Sequence, residues 1–474
     1  MTLTHILTFI VAALLYLFLL PRRWRGWALF VGSVLAIYWL QPPLRVRRAD
    51  FLFPTATLAL VTLSWAISRA PEQRWQREDS FAAATMAALV LALSFGRYLA
   101  PAARLTPSAP PPTLTVAVWL AGVGMMLGLA ARRPAGGRRA LLALMVGIVA
   151  LFVLLKTEPL TEALSRALRR WQGQPTSLAR AGELEWLGFS YVAFRLLHTL
   201  RDRQTGQLPP LSLREYVTYA IFFPAYTAGP IDRAERFVKD LRELAGPHVE
   251  QIVQGGGRIA VGIAKKFIIA DALAYMSLNA TRAEQARSAW GLWVLLYAYT
   301  LQIYFDFSGY SDIAIGIGQL FGVKLPENFA QPYLKRNITQ FWQSWHITLS
   351  NWVRFYVFSP LSRALLKRKP RPSPTALAFV GQMSTMLVIG LWHGVTWHFV
   401  AWGAWHGAGL FAHKVWSDKT RRLYLRLRTR PRAGQALGVA GTALTFHFVA
   451  LGWVWFALPE LDTGWRVLLR LFGG

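Results

Sequence analysis

Apolar runs recur down almost the whole chain. They cover 3–20, 27–40, 53–67, 81–95, 114–131 and 141–155, then 216–228, 259–278, 289–305, 313–323, 376–391, 399–411 and 439–458. A bilayer-spanning helix needs about 20 apolar residues at 1.5 Å each. Several runs reach that length. The shorter ones predict tilted, broken or half-inserted helices, which are tolerated only where protein or a water-filled cavity covers the backbone. The pattern predicts an all-α, polytopic membrane protein of roughly 11–14 helices. Pro101 to Pro112 carries five prolines in twelve residues and can be neither helix nor span. The runs before 155 hold few polar residues and those after Gly188 hold many. This suggests membrane helices over 1–155 and a chemistry-bearing stretch over 156–474, in one continuous membrane domain.

Charge sharpens this picture. The chain has 474 residues, 52 Lys and Arg against 23 Asp and Glu, a net charge of +29, and 54% hydrophobic residues. On a soluble fold that charge would suggest nucleic acid, but here the basic residues lie between apolar runs, so no nucleic acid is expected. Arg22, Arg23 and Arg25 follow the first run, so it reads as a retained span and not a signal peptide. Lys367, Arg368, Lys369 and Arg371 precede the segment 374–416, and Lys419, Arg421, Arg422, Arg426, Arg428, Arg430 and Arg432 follow it. By the positive-inside rule both flanks are cytoplasmic. The segment then enters and returns as two helices, turning near Trp392 to Trp397.

Polar side chains inside such runs are expensive and mark functional candidates. The stretch Gln302 to Asp312 carries Asp306, Ser308 and Asp312 around Gly309 and reads as a broken helix, either lining a cavity or gluing helices together. Next come Pro326-Glu327-Asn328-Phe329 and the segment 337–352. There Thr339 caps a predicted helix whose Trp342, Trp345, Leu349 and Trp352 share one face, with Gln340 near its start and His346 one step round. Third is Leu391-Trp392-His393-Gly394. Four of the nine histidines follow a tryptophan: His346, His393, His398 and His406. Histidine is the natural general base for a hydroxyl. His398, His413 and His447 read individually as structural, and His5 and His248 as loop or end residues. The spacings His393 to His398 and His406 to His413 do not fit a helical metal pair, so no metal is expected. Gly255-Gly256-Gly257-Arg258 reads as a flexible turn. Cysteine is absent, and so is a Gly-x-Ser-x-Gly elbow, which disfavours an acyl-enzyme.

These motifs resemble the membrane-bound O-acyltransferase family, in the bacterial branch that O-acetylates alginate and D-alanylates teichoic acid. The resemblance rests on Phe222 to Arg233, Tyr304 to Asp312, Pro326 to Phe329, Phe341 to Ser350 and Leu391 to Gly394, and covers about Gly188 to Gly474. Arg354 is followed by Phe355 where the family commonly carries Asp, and Ala457 stands where Arg is often seen. The resemblance implies tilted helices around a central tunnel. It implies transfer of an acyl group, acetyl first, from a cytoplasmic thioester (acyl-CoA or an acyl carrier protein) to a hydroxyl of an extracytoplasmic polysaccharide or other envelope polymer. No bound cofactor is expected.

By the same resemblance His393 is the catalytic histidine and His346 the auxiliary one. Trp342, Trp345 and Trp392 would wall the tunnel, and Asp306, Ser308, Asn328 and Gln340 would add polar lining. The expected setting is multi-pass in the bacterial cytoplasmic membrane, among membrane lipid, with a possible periplasmic or extracellular acyltransferase partner. D-alanyl transfer to a teichoic-acid-like polymer is the alternative within the family. A transporter with a polar His and Asp path is the alternative outside it.

Overall fold

Most of the apolar runs become α-helix, the run 216–228 leaving it after Ala220, and no strand occurs among the described residues. The computed structural model of the protein describes residues 1–70, 72–132, 137–244 and 249–474. His248 lies outside them. In chain order the helices are α1 Leu3–Leu19, α2 Arg22–Leu40, α3 Ala49–Ser68, α4 Arg77–Phe95, α5 Thr113–Arg132, α6 Arg138–Lys156, α7 Glu158–Trp171, α8 Phe189–Gln204, α9 Leu213–Ala220 and α10 Ala234–Arg242. Then come α11 Val249–Ile263, α12 Asp271–Ala274, α13 Ala280–Gln285, α14 Ala289–Leu320, α15 Ile338–Trp342, α16 Ile347–Val353, α17 Ser359–Leu366, α18 Pro374–His393, α19 Trp397–Arg428, α20 Pro431–Ala457 and α21 Leu461–Leu471. Among the described residues, α3, Arg77–Tyr98, α6, α18 and α20 are long and apolar enough to cross a membrane, and Leu3–Leu19 and Thr113–Leu129 are shorter apolar helices. The protein is therefore an all-α, multi-pass membrane protein.

The chain divides into two compact units, 1–259 with 313–325, and 260–312 with 326–474, the boundary falling inside α11 and α14. The first unit is held by long-range polar ties between apolar helices. Trp65 donates its indole N–H to the Leu211 carbonyl at 2.8 Å. The buried Arg195 guanidinium donates to the carbonyls of Ala220 and Ala225, each at 2.9 Å. The 222–233 motif is a mostly buried, irregular segment, and the arginine satisfies one of its carbonyls, that of Ala225, together with the last carbonyl of α9. Between α7 and α8, Arg169 grips Glu183 with two bonds of 2.9 Å, and both side chains are buried.

In the second unit α18 and α19 form the expected hairpin, turning over residues 394–396. Three expected features fail. The segment 302–312 is not a broken helix but the middle of the continuous α14. Gly309 serves close packing instead: a Cβ there would sit 2.8 Å from the Gly262 carbonyl oxygen and the Lys266 nitrogen. The second is the single helix expected over 339–352. It is two short helices, α15 and α16, with a turn between them. Asn337, not Thr339, caps the first, its Oδ1 accepting the Gln340 N–H at 2.9 Å. The run Gly255 to Gly257 is likewise helical rather than a turn, lying within α11.

Candidate functional site

The turn between α15 and α16 ends at His346, which occupies the left-handed region at φ 44° and ψ 53°. For a residue with a Cβ this costs about 1–2 kcal/mol, so the surroundings must enforce it. They do so mainly through Asn328. Its backbone carbonyl accepts the Ile347 N–H at 2.9 Å, and the Ala330 N–H donates to the Ser344 carbonyl at 3.0 Å. Its side-chain Oδ1 accepts from the Thr348 N–H at 3.3 Å and the Thr348 hydroxyl at 2.9 Å, and lies 3.1 Å from His346 Nδ1. Its Nδ2 donates to Ser311 Oγ at 3.1 Å. Asn328 is completely buried, and His346 and Ser311 nearly so.

The imidazole of His346 meets Phe307 edge-on at 4.7 Å and Trp392 at 5.9 Å between ring centroids. Trp392 in turn lies 4.5 Å from the ring of His393. His393 is the last residue of α18 and is half-buried. Its ring stacks on Phe399 and meets Trp402 and Phe456 edge-on, at 5.6, 5.7 and 4.7 Å. One indole therefore touches both histidines. Trp345 packs among Tyr304, Phe329, Tyr333, Phe341 and Trp453, and Trp342 against Phe341, Trp402 and His406. Among the described residues, five buried atoms of these groups have no hydrogen-bond partner: Nε2 of His346, Nε1 of Trp342 and Trp402, and both ring nitrogens of His406. Buried polar atoms are normally hydrogen-bonded, so these five are available to a hydroxyl or to water.

Six of the nine predicted residues thus fall in one connected group: His393, Trp392, His346, Asn328, Trp345 and Trp342. The other three stand apart from it in their contacts. Asp306 is ion-paired to Lys266, as Asp312 is to Lys265 at 2.7 Å, both lysines lying on the π-helical turn Ala264–Ala270 that follows α11. Gln340 is exposed, and its Oε1 accepts the Arg336 N–H at 3.3 Å. Ser308 is buried with an unpartnered hydroxyl, and no contact ties it to either histidine. Sequence reasoning missed Ser311, Thr348, Phe307 and Trp402. Ser311 and Thr348 sit inside the motifs already singled out, but nothing in one-dimensional spacing brings them to Asn328. His406 is fully buried in a cage of Trp342, Trp402, Phe448 and Trp453, and only its position after a tryptophan drew attention to it. Among the described residues, no three of His, Asp and Glu stand together as a metal site.

A sequence profile of the membrane-bound O-acyltransferase family matches residues 138–450. The match starts well before Gly188, where the motif resemblance began, and takes in α6. The chain is 32% identical over 303 residues to a teichoic acid D-alanyltransferase of Streptococcus thermophilus, an alignment covering 60% of this chain and 71% of that one. It is 33% identical over 287 residues to a probable alginate O-acetylase of Pseudomonas aeruginosa, covering 60% and 51%. It is 33% identical over 287 residues to a peptidoglycan O-acetyltransferase of Helicobacter pylori, covering 58% and 51%. The chain thus spans about half the length of these two acetylating relatives.

Proposed function

The chain belongs to the membrane-bound O-acyltransferase family, and from that premise we propose that it moves an acetyl group from a cytoplasmic thioester to a hydroxyl of an extracytoplasmic polysaccharide or related envelope polymer. Family membership removes the transporter reading. The donor is acyl-CoA or an acylated carrier protein, and the setting is the bacterial cytoplasmic membrane. The alginate and peptidoglycan relatives support acetate and a polysaccharide acceptor. The teichoic acid relative, matched over more of its length, supports D-alanyl transfer as the second reading. The stretch 156–474 carries the chemistry in this reading, and a separate periplasmic or extracellular acyltransferase can receive the group.

The observation that carries the proposal is the Trp392 ring in contact with both His346 and His393. His393 takes the proton of the acceptor hydroxyl as its oxygen attacks the thioester carbonyl. A C–O bond forms, the C–S bond breaks, and the proton passes from the imidazolium to the departing sulfur. His346 orients the hydroxyl. Trp342, Trp345 and Trp392 exclude water, which would otherwise hydrolyse the thioester. The test is His393→Ala in the full chain, assayed by ester-linked acetate and ester-linked D-alanine on envelope polymer. Loss of a general base costs about 10²–10⁴-fold. Unchanged ester content with normal folding rejects the mechanism, and D-alanine in place of acetate selects the second reading.

A further inference from the structure

Asn328 entered as a candidate for substrate lining, but its complete burial leaves it no surface to line with. Its hydrogen bonds show what it does instead. Asparagine's oxygen and nitrogen must be told apart by their partners. The Thr348 backbone N–H can only donate, so the atom it meets is the oxygen Oδ1. The opposite atom is therefore the NH₂ group, which donates to Ser311 Oγ. Since Oδ1 is an acceptor only, the His346 nitrogen 3.1 Å from it must carry a hydrogen. A neutral imidazole has one N–H, so Nε2 keeps its lone pair. That same Nε2 is buried and meets no hydrogen-bond partner among the described residues.

We propose that Asn328 is a positioning residue which holds His346 as the Nδ1–H tautomer, so that its bare Nε2 accepts a hydrogen bond from a neighbouring, non-reacting hydroxyl of the acceptor and leaves the proton of the reacting hydroxyl to His393. The role deepens the acyltransfer reading and rests on it for the identity of that hydroxyl. One residue does two jobs here. Its backbone carbonyl takes the N–H freed by the turn before α16, and its side chain orients the ring that the turn presents. Ser311 on α14 and Thr348 on α16 lock the amide against flipping. Outer partners that fix a histidine's tautomer are worth about 10–100-fold where they have been removed at metal sites, and a like loss is expected here.

The first test needs no variant. Nitrogen NMR of full-length protein labelled at histidine gives the protonation of each ring nitrogen, and His346→Gln assigns the signal by its disappearance. The expected result is a proton on Nδ1 and a bare Nε2 for His346. A proton on Nε2 overturns the proposal. Asn328→Leu removes the acceptor and is expected to mix the tautomers and lower kcat about 10–100-fold, with KM for the donor unchanged. Asn328→Asp keeps an acceptor facing Nδ1 and is expected to restore the tautomer and most of kcat. If Leu and Asp alter only the yield of folded protein, with equal kcat per folded molecule, Asn328 is merely structural and the proposal fails. If the tautomer is as stated but His346→Gln retains full transfer, the clamp stands and the acyltransfer role of His346 falls.

Discussion

The hairpin of α18 and α19 sets where His393 stands, and Gly403 sets how closely the hairpin closes. A Cβ at Gly403 would lie 2.7 Å from the Met386 carbonyl oxygen and 3.1 Å from Leu387 Cα. Both are backbone atoms and cannot rotate away. Ordinary carbon contacts begin at about 3.5 Å, so Gly403→Ala must part the helices by roughly 0.5 Å. Overpacking of this kind costs about 1–3 kcal/mol, while replacing helical glycine by alanine returns about 1 kcal/mol of propensity. Gly257 in α11 supplies the control, because nothing lies within 4 Å of a Cβ built there. Gly257→Ala gains the propensity term alone. The two variants should therefore differ in stability by about 1–3 kcal/mol, a difference from which propensity cancels. Catalysis is the more sensitive reporter. Misplacing a reacting group by 1 Å costs about 10²-fold, so half that shift predicts about a tenfold fall in kcat for Gly403→Ala and none for Gly257→Ala. Melting of detergent-solubilised protein and ester formation on polymer measure the two quantities. Equal melting and equal transfer for the two alanine variants would show that hairpin closure does not position His393.

Glu183 supplies a pH-dependent prediction. Burial pushes its carboxyl up, but the Arg169 fork and the Ser165 hydroxyl outweigh that and hold it below the ordinary range. A depressed carboxyl stabilises fully above its unfolded value of about 4.3 and loses that contribution as pH falls through the folded value. Glu183→Gln should cost about 3–5 kcal/mol at neutral pH by leaving Arg169 buried and unmatched, and the gap to the unmodified protein should narrow in melts below about pH 4. A gap constant with pH would refute the pairing. For Lys266 and Asp306, the carboxylate is about half exposed, so a double-mutant cycle with alanines should give a coupling of about 0.2–1 kcal/mol in melting. Transfer by Asp306→Ala should stay within about threefold, because the cost of an exposed ion pair is small and the carboxylate faces a lysine; a loss of about 10²-fold would return Asp306 to the substrate site. Asn337→Ala should cost about 1 kcal/mol as a lost helix cap, whereas Gln340→Ala, at an exposed side chain, should stay within about 0.5 kcal/mol; the reverse order in melting would overturn the capping assignment.

What could be read from the sequence follows from the range of the forces involved. Helix identity came through because apolar runs report a bilayer directly, and the 374–416 hairpin because basic flanks report its ends. The histidine–tryptophan pairs were equally legible, since a polar ring next to aromatic residues is conspicuous inside apolar runs. The failures lie where a long-range partner overrides a local signal. Gly309 and two aspartates look like a helix break until Lys265 and Lys266 neutralise the carboxylates and Gly262 packs against the glycine. The aromatic face from Trp342 to Trp352 looks like one helix until the carbonyl of Asn328 takes the N–H of Ile347 and pays for a left-handed residue at His346. That second case also turns an error into information. A helix predicted straight through His346 would have pointed its ring by local geometry alone, whereas the observed turn gives Asn328 control of both backbone and ring. The place where local rules fail is thus the place where the chain gives up stability to aim the nitrogen that the proposed mechanism assigns to the acceptor, and strained residues are known to gather at working sites.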